Sequence, residues 1–204
     1  MKKKSLVSLA VAVSLIAVIG VGSTLAYFTD SDAATNVVTM GHVDIELAEP
    51  EFEAANENNT IENVVPNQQI TKDPTITVVA GSESCYLRAA IEISDALTAE
   101  QAAELLENIN VGENWVLSED GYYYYQNKIE KSDEDQTVVL FDTVVIPELW
   151  GNEVADLSFE INVTAEAIQA DNFTPATTDG LITAWLTSNG DAITAETYEA
   201  LEAE

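Results

Sequence analysis

The sequence predicts an all-β protein, a jelly-roll-like antiparallel β-sandwich with one or two short helical insertions. Short runs alternate apolar and polar residues with a period of two, and turn residues separate these runs at close intervals. The alternating strand–helix rhythm of a parallel sheet is missing. The chain has 204 residues, enough for one domain with a sizeable core.

The N-terminus is read first. Lys2, Lys3 and Lys4 precede an uncharged, nearly unbroken apolar run from Leu6 to Ile19, the layout of a secretory signal. Gly20, Gly22 and Ser23 loosen the run, and Thr24-Leu25-Ala26 puts small residues at the first and third places before a cut after Ala26. Residues 1–26 are then a signal peptide, and the working chain opens at Tyr27. The alternative is an uncleaved anchor, since Leu6 to Ala26 approaches the roughly 20 apolar residues that span a bilayer.

The next pattern sets Val43, Ile45 and Leu47 against His42, Asp44 and Glu46, a strand with one dry face. Residues 48–63 are acidic and Asn-rich and read as an exposed loop. The stretch 64–94 holds two or three strands broken by Pro66, Pro74 and Gly81. In the last of them Leu87, Ala89, Ile91 and Ile93 alternate with Tyr86, Arg88, Ala90 and Glu92, which suits a sheet with one face in the core. Thr98 and Gln101 form a T-x-x-Q capping box, and Ala102, Leu105, Leu106 and Ile109 share one helical face. Strands resume at "NWVL", an Asp120-Gly121 hairpin turn, "YYYYQ", "TVVLFDTVVIP" and "ADLSFEINVTAEAIQ", where Leu157, Phe159, Ile161, Val163 and Ala165 point inward. "GLITAWLTS" reads as a short helix, and "TAETYEALEAE" as either a frayed helix or a tail. The sandwich domain is set at 27–190 and an acidic C-terminal tail at 191–204.

Charge narrows the partners. Removing the signal leaves 178 residues with only Lys72, Arg88, Lys128 and Lys131 as cations against 36 acids, a net charge of −32. Such a surface repels nucleic acid and anionic lipid, so membrane contact is expected only through the precursor signal. Neutralising that charge with salt, acid or divalent cations favours packing of subunits.

Residues with reactive chemistry are scarce. Cys85 is the single cysteine, so no intrachain disulfide forms; it reads as a small buried side chain, with an intermolecular disulfide as the alternative. A zincin needs two histidines four apart on a helix, and this chain has one histidine, His42, in a predicted strand. His42 reads as an exposed strand residue. Asp30-Ser31-Asp32 and Asp133-Glu134-Asp135 cluster hard oxygens, but neither completes a calcium loop, and both read as solvated turns. No catalytic, cofactor or metal residue is singled out, and zinc and calcium stay open. Trp115, Trp150 and Trp185 read as core or core-rim residues. Of Tyr122 to Tyr125, two rings should face the core and two face out, as tolerated exposure or as an aromatic contact surface. Lys72-Asp73-Pro74 reads as a turn.

The run "STLAYFTDSDAATNVVTMGHVDIEL" resembles the TasA and camelysin family of exported Gram-positive proteins, as do "VVPNQQITKDPTITVVAGSESCYLRAAIEI", "DGYYYY", "LFDTVVIP" and "AEAIQADNF". The resemblance spans most of the chain in the expected order. It implies a jelly-roll fold, processing by a dedicated endoplasmic-reticulum-type signal peptidase, and assembly into extracellular fibres of the biofilm matrix, with other matrix proteins as further partners. In such fibres each subunit lends its N-terminal segment to a neighbour's sheet. Here that segment is 27–41, with Tyr27, Phe28, Val37, Val38 and Met40 as anchors. Other members are described as cell-surface, casein-cleaving metalloendopeptidases, which is the alternative function; a monomeric surface adhesin is a third.

Overall fold

A computed structural model describes residues 42–202, apart from 57, 58, 62, 152, 153, 155–157 and 172. The expected cleavage residues Ala26 and Tyr27, the anchors Phe28, Val37, Val38 and Met40, the Asp30–Asp32 cluster and Leu157 lie outside the described residues.

The described chain forms β1 (Ile45–Ala48), α1 (Pro50–Ala55), β2 (Gln69–Thr71), β3 (Thr75–Val78), β4 (Cys85–Ile93), α2 (Ala99–Glu107), β5 (Ile109–Val111) and β6 (Trp115–Leu117). It continues with β7 (Tyr123–Tyr125), β8 (Gln136–Val139), β9 (Phe141–Val145), β10 (Ile161–Gln169), β11 (Thr174–Thr178), β12 (Leu181–Leu186) and α3 (Ala195–Glu202). Every strand pairing is antiparallel. The sheets run β1-β3-β8, β2-β9-β5 and β10-β4-β7-β6, with β11-β12 as a hairpin. This is the all-β sandwich that the alternating pattern predicts.

The first two sheets run on from one another. Lys72 N–H donates to the Asp142 carbonyl and Leu140 N–H to the Pro74 carbonyl, so β2–β3 and β8–β9 pair along their length with a break between. The break has a chemical cause. Pro74 has no N–H to give back to Leu140, and the Leu140 carbonyl accepts from Gly112 N–H instead. The core closes between these sheets and β10-β4-β7-β6, where Ile76, Leu87, Ala89, Leu105, Phe141 and Val144 are wholly or almost wholly buried. Burying each large aliphatic side chain contributes roughly 1.5–3 kcal/mol.

Three expectations are corrected. The stretch 48–63 is not all loop: α1 starts with Pro50 in its first turn and buries Phe52. Its first N–H groups are satisfied by the nearly buried Asp73, whose carboxylate accepts from Glu51 N–H and Phe52 N–H, each at 3.0 Å. The Lys72-Asp73-Pro74 turn is therefore an anchor, and Lys72 adds an ion pair to Glu49 at 2.6 Å. Residues 181–186 are a strand, not a helix, because Asp179 and Gly180 both take positive φ (52° and 84°) and fold β11 back onto β12. Finally, the outer face of β4 is covered over its first half, around Tyr86 and Arg88. Tyr124, Ile168, Ile182, Trp185 and Ile193 form a second cluster there, joined by Tyr86, Tyr122, Phe173 and Tyr198. The segment left open as frayed helix or tail is α3, which brings Tyr198 into that cluster.

The predicted capping box is present, with Thr98 Oγ1 accepting from Gln101 N–H and Gln101 Oε1 from Thr98 N–H. Thr98→Ala should lower unfolding stability by about 1 kcal/mol, read from the shift of a urea denaturation midpoint at constant slope.

Candidate assembly surface

Two edges meet on one side of the sandwich. β1 ends the first sheet and β10 ends the facing one, and the two strands are neighbours. Along β10 the even residues turn their backbone groups toward β4, as the flanking bonds from Ala170 N–H to Ser84 O and from Ser94 N–H to Glu160 O show. The odd residues Ile161, Val163, Ala165 and Ala167 therefore turn theirs outward. Their side chains are half-buried and pack on the main core. Only Ala167 among the four is answered by a described residue, with Tyr198 Oη accepting from its N–H at 3.2 Å and donating to its carbonyl at 2.9 Å. On β1, Asp44 O accepts from Val79 N–H, so Ile45 and Leu47 turn outward in the same alternation. Leu47 keeps 39 % of its surface exposed. The result is a rim with apolar walls and, among the described residues, open backbone groups at Ile161, Val163 and Ala165.

At the opposite rim, between β6 and β8, one side chain bridges the two edges. Trp115 Nε1 donates to the Val139 carbonyl at 2.9 Å and ties the two edges together. The cleft beside it, about 230 Å³, is lined by Gly112, Glu113, Trp115, Tyr125, Thr137 and Val139 among others.

Arg88 organises the layer behind the open rim. It stands opposite Glu166 across the β4–β10 ladder and is wholly buried. Its Nε donates to Glu166 Oε2 at 2.7 Å, and Nη2 lies 2.6 Å from the same oxygen as an ion pair without hydrogen-bond alignment. Nη1 donates to the Ile193 carbonyl at 2.7 Å and to Tyr124 Oη at 3.2 Å. The guanidinium lies over the rings of Tyr122 (4.1 Å), Trp185 (4.7 Å) and Tyr198 (5.6 Å). Burial alone would make Arg88 easier to deprotonate, but its bonds to Tyr124 and Glu166 outweigh that and hold the proton more firmly.

The four tyrosines divide as predicted between two faces, but both faces are covered. Tyr123 and Tyr125 pack on the main core, and Tyr122 and Tyr124 pack in the second cluster. All three tryptophans are buried, as expected. Cys85 is fully buried, and burial pushes its thiol up to about 11, so the intermolecular disulfide has no exposed sulfur to use. His42 is exposed just before β1. Asp135 in the acidic turn accepts from Ala80 N–H at 2.8 Å. Sequence reasoning missed Arg88 and the β10 rim. The signal for Arg88 was the set of aromatics, Tyr86, Tyr122 and Tyr124, on a face assigned to solvent.

These features define an acidic, antiparallel β-sandwich with an edge strand, β10, whose outward groups at Ile161, Val163 and Ala165 have no partner among the described residues. A family model described as camelysin metallo-endopeptidase matches residues 1–164. The chain belongs to that family, the family of TasA and camelysin, and is a cell-surface protein of it. No curated protein and no solved structure matches the chain.

The family's description implies a metal ion, and the described residues do not fit one. His42 is the sole histidine of the sequence and stands exposed at a strand entrance. The one thiol is sealed in the apolar core with its proton held firmly. Among the described residues no three His, Cys, Asp or Glu side chains converge as a metal site requires.

Removing the guanidinium leaves the Glu166 carboxylate buried without its partner, so Arg88→Ala should cost about 3–5 kcal/mol, measured by urea denaturation. Alkali should act on the same cluster. Burial and the hydrogen bond to Glu166 push the Tyr122 hydroxyl up to about 12, whereas in the unfolded chain it loses its proton near pH ~10. Between these values the folded state keeps a proton that the unfolded chain has released. Stability should therefore fall as pH rises from about 10 to about 12, seen as a declining thermal midpoint together with phenolate absorbance.

Proposed function

We propose that this chain is a structural protein of the extracellular matrix that assembles into fibres by donating residues 27–41 to the open rim of a neighbouring subunit. The observation that carries this reading is the edge of β10, where Ile161, Val163 and Ala165 turn outward, from apolar walls, backbone groups that no described residue answers. An added strand satisfies such groups by β-augmentation, and alternate side chains enter the groove beside them. Tyr27, Phe28, Val37, Val38 and Met40 supply apolar residues of that kind. Cleavage after Ala26 by a dedicated signal peptidase would free the segment, so assembly follows export. Donor and acceptor are different surfaces, so the contact is heterologous and propagates into a filament instead of closing a dimer. The net charge of −32 on the processed chain opposes this packing, and salt or divalent cations relieve it.

The family description supports a second reading, metal-dependent peptide hydrolysis. Mass spectrometry of the secreted N-terminus, negative-stain imaging and a casein-cleavage assay with and without chelator separate the two. Solitary particles that cleave casein only with metal would sink the structural reading.

Two variants test the rim directly. Deleting residues 27–34 should leave the protein monomeric where the processed chain forms fibres. Val163→Pro removes an N–H that points away from β4, so the β4–β10 ladder survives. Fibre yield by electron microscopy should nevertheless fall by at least about tenfold, because the incoming strand loses a bond and meets the proline ring.

A further inference from the structure

The open edge of β10 has a defined end. Tyr198 packs its ring beside Trp185 at 6.2 Å and projects its hydroxyl onto the outward face of Ala167, where it fills both the donor and the acceptor. Those are the two groups that Ala167 would offer to an added strand. Ile161, Val163 and Ala165 share that orientation, and no bond from a described residue answers them. The hydroxyl itself is fixed from behind, because Arg88 binds the Ile193 carbonyl two residues before α3 begins. Ile193 is also buried, and its N–H donates to the Trp185 carbonyl at 2.8 Å.

An end of this kind resolves an ambiguity that alternation leaves. Slipping an added strand by one residue turns every side chain to the wrong face and is excluded by the apolar walls. A slip by two keeps every side chain on its own face, so the groove tolerates it. Only an obstacle at the end of the edge distinguishes the two registers.

Resting on the assembly reading above, we propose that Tyr198 is a register stop: its hydroxyl ends the docking edge at Ala165 and fixes one alignment of the donated segment. Tyr198 is a positioning residue that acts through the acceptor strand. In Tyr198→Phe the ring loses the two bonds that hold it over the edge and swings aside, Ala167 regains its free groups, and a two-residue slip toward Gln169 gains bonds it could not make before. The gain is on the order of tenfold in population.

The test uses cysteine cross-linking in the processed chain, where the native thiol of Cys85 is buried and silent. A single cysteine is placed in turn at each position from Asn36 to Met40, and a second at Asn162 or Thr164, which are exposed on the outer face of β10. With Tyr198 present, a given donor cysteine should cross-link to one of the two acceptors only. In Y198F both acceptors should react. A chain ending at Thr194, which lacks α3, should also show both. Amide exchange at Ala167 in the monomer should quicken at least about tenfold in Y198F, independently of assembly.

An unchanged single cross-link in Y198F and in the shortened chain would overturn the stop while leaving the fibre reading intact. So would an Ala167 amide that exchanges no faster. Absence of any cross-link in the chain with Tyr198 would overturn the assembly reading, and the stop with it.

Discussion

The buried guanidinium of Arg88 is the constraint from which the outer half of this molecule follows. Desolvating a cation is costly, and the cost is offset here only because Glu166, Tyr124 and the Ile193 carbonyl all face it at bonding distance. Those partners come from β10, β7 and the approach to α3, so one side chain ties together residues more than a hundred positions apart in sequence. Three aromatic rings complete the enclosure. Among the described residues the protein has four cations, and each is engaged with a carboxylate: Lys72 with Glu49, Arg88 with Glu166, Lys128 with Glu130 and Lys131 with Glu83. The two lysine pairs nearest the acidic turn are exposed and contribute little. In a chain so rich in acid, placing the one arginine under a hydrophobic layer secures the attachment of that layer.

That layer also gives the sandwich its asymmetry. β4 and β10 are covered on both faces near their Cys85 and Gln169 ends, whereas Asn162 and Thr164 at the far end remain exposed. Among the described residues the rim beside β10 is consequently answered at Ala167 and left open from Ile161 to Ala165. On the opposite side an indole N–H bridges β6 and β8 at the Val139 carbonyl. The family match ends at residue 164, within β10, so the β11–β12 hairpin and α3 lie beyond the matched stretch.

Much of this architecture was legible in the sequence where local and tertiary signals agree. Leu87, Ala89, Ile91 and Ile93 announce β4 by alternation, and Thr98 with Gln101 marks the start of α2. Misreading came where a signal was short or where the partner was distant. The Asp179-Gly180 turn has the same residue pair as Asp120-Gly121, but the apolar run after it is dense enough to mimic a helix face. α1 spans only six residues, and its cap comes from Asp73, which no local pattern reveals. The β10 rim was harder still. Alternation assigns side chains to faces, but which backbone groups face outward depends on which neighbour a strand has, and that is a property of topology.

Cys85 carries one further consequence. Its sulfur sits at the start of β4, paired through its backbone with Ile129, under the main core. An opening that admits a thiol-reactive dye must undo that bridge and expose the core. The rate of labelling is therefore a direct clock for excursions of the native molecule into its opened forms, built into the wild-type chain with no engineered probe.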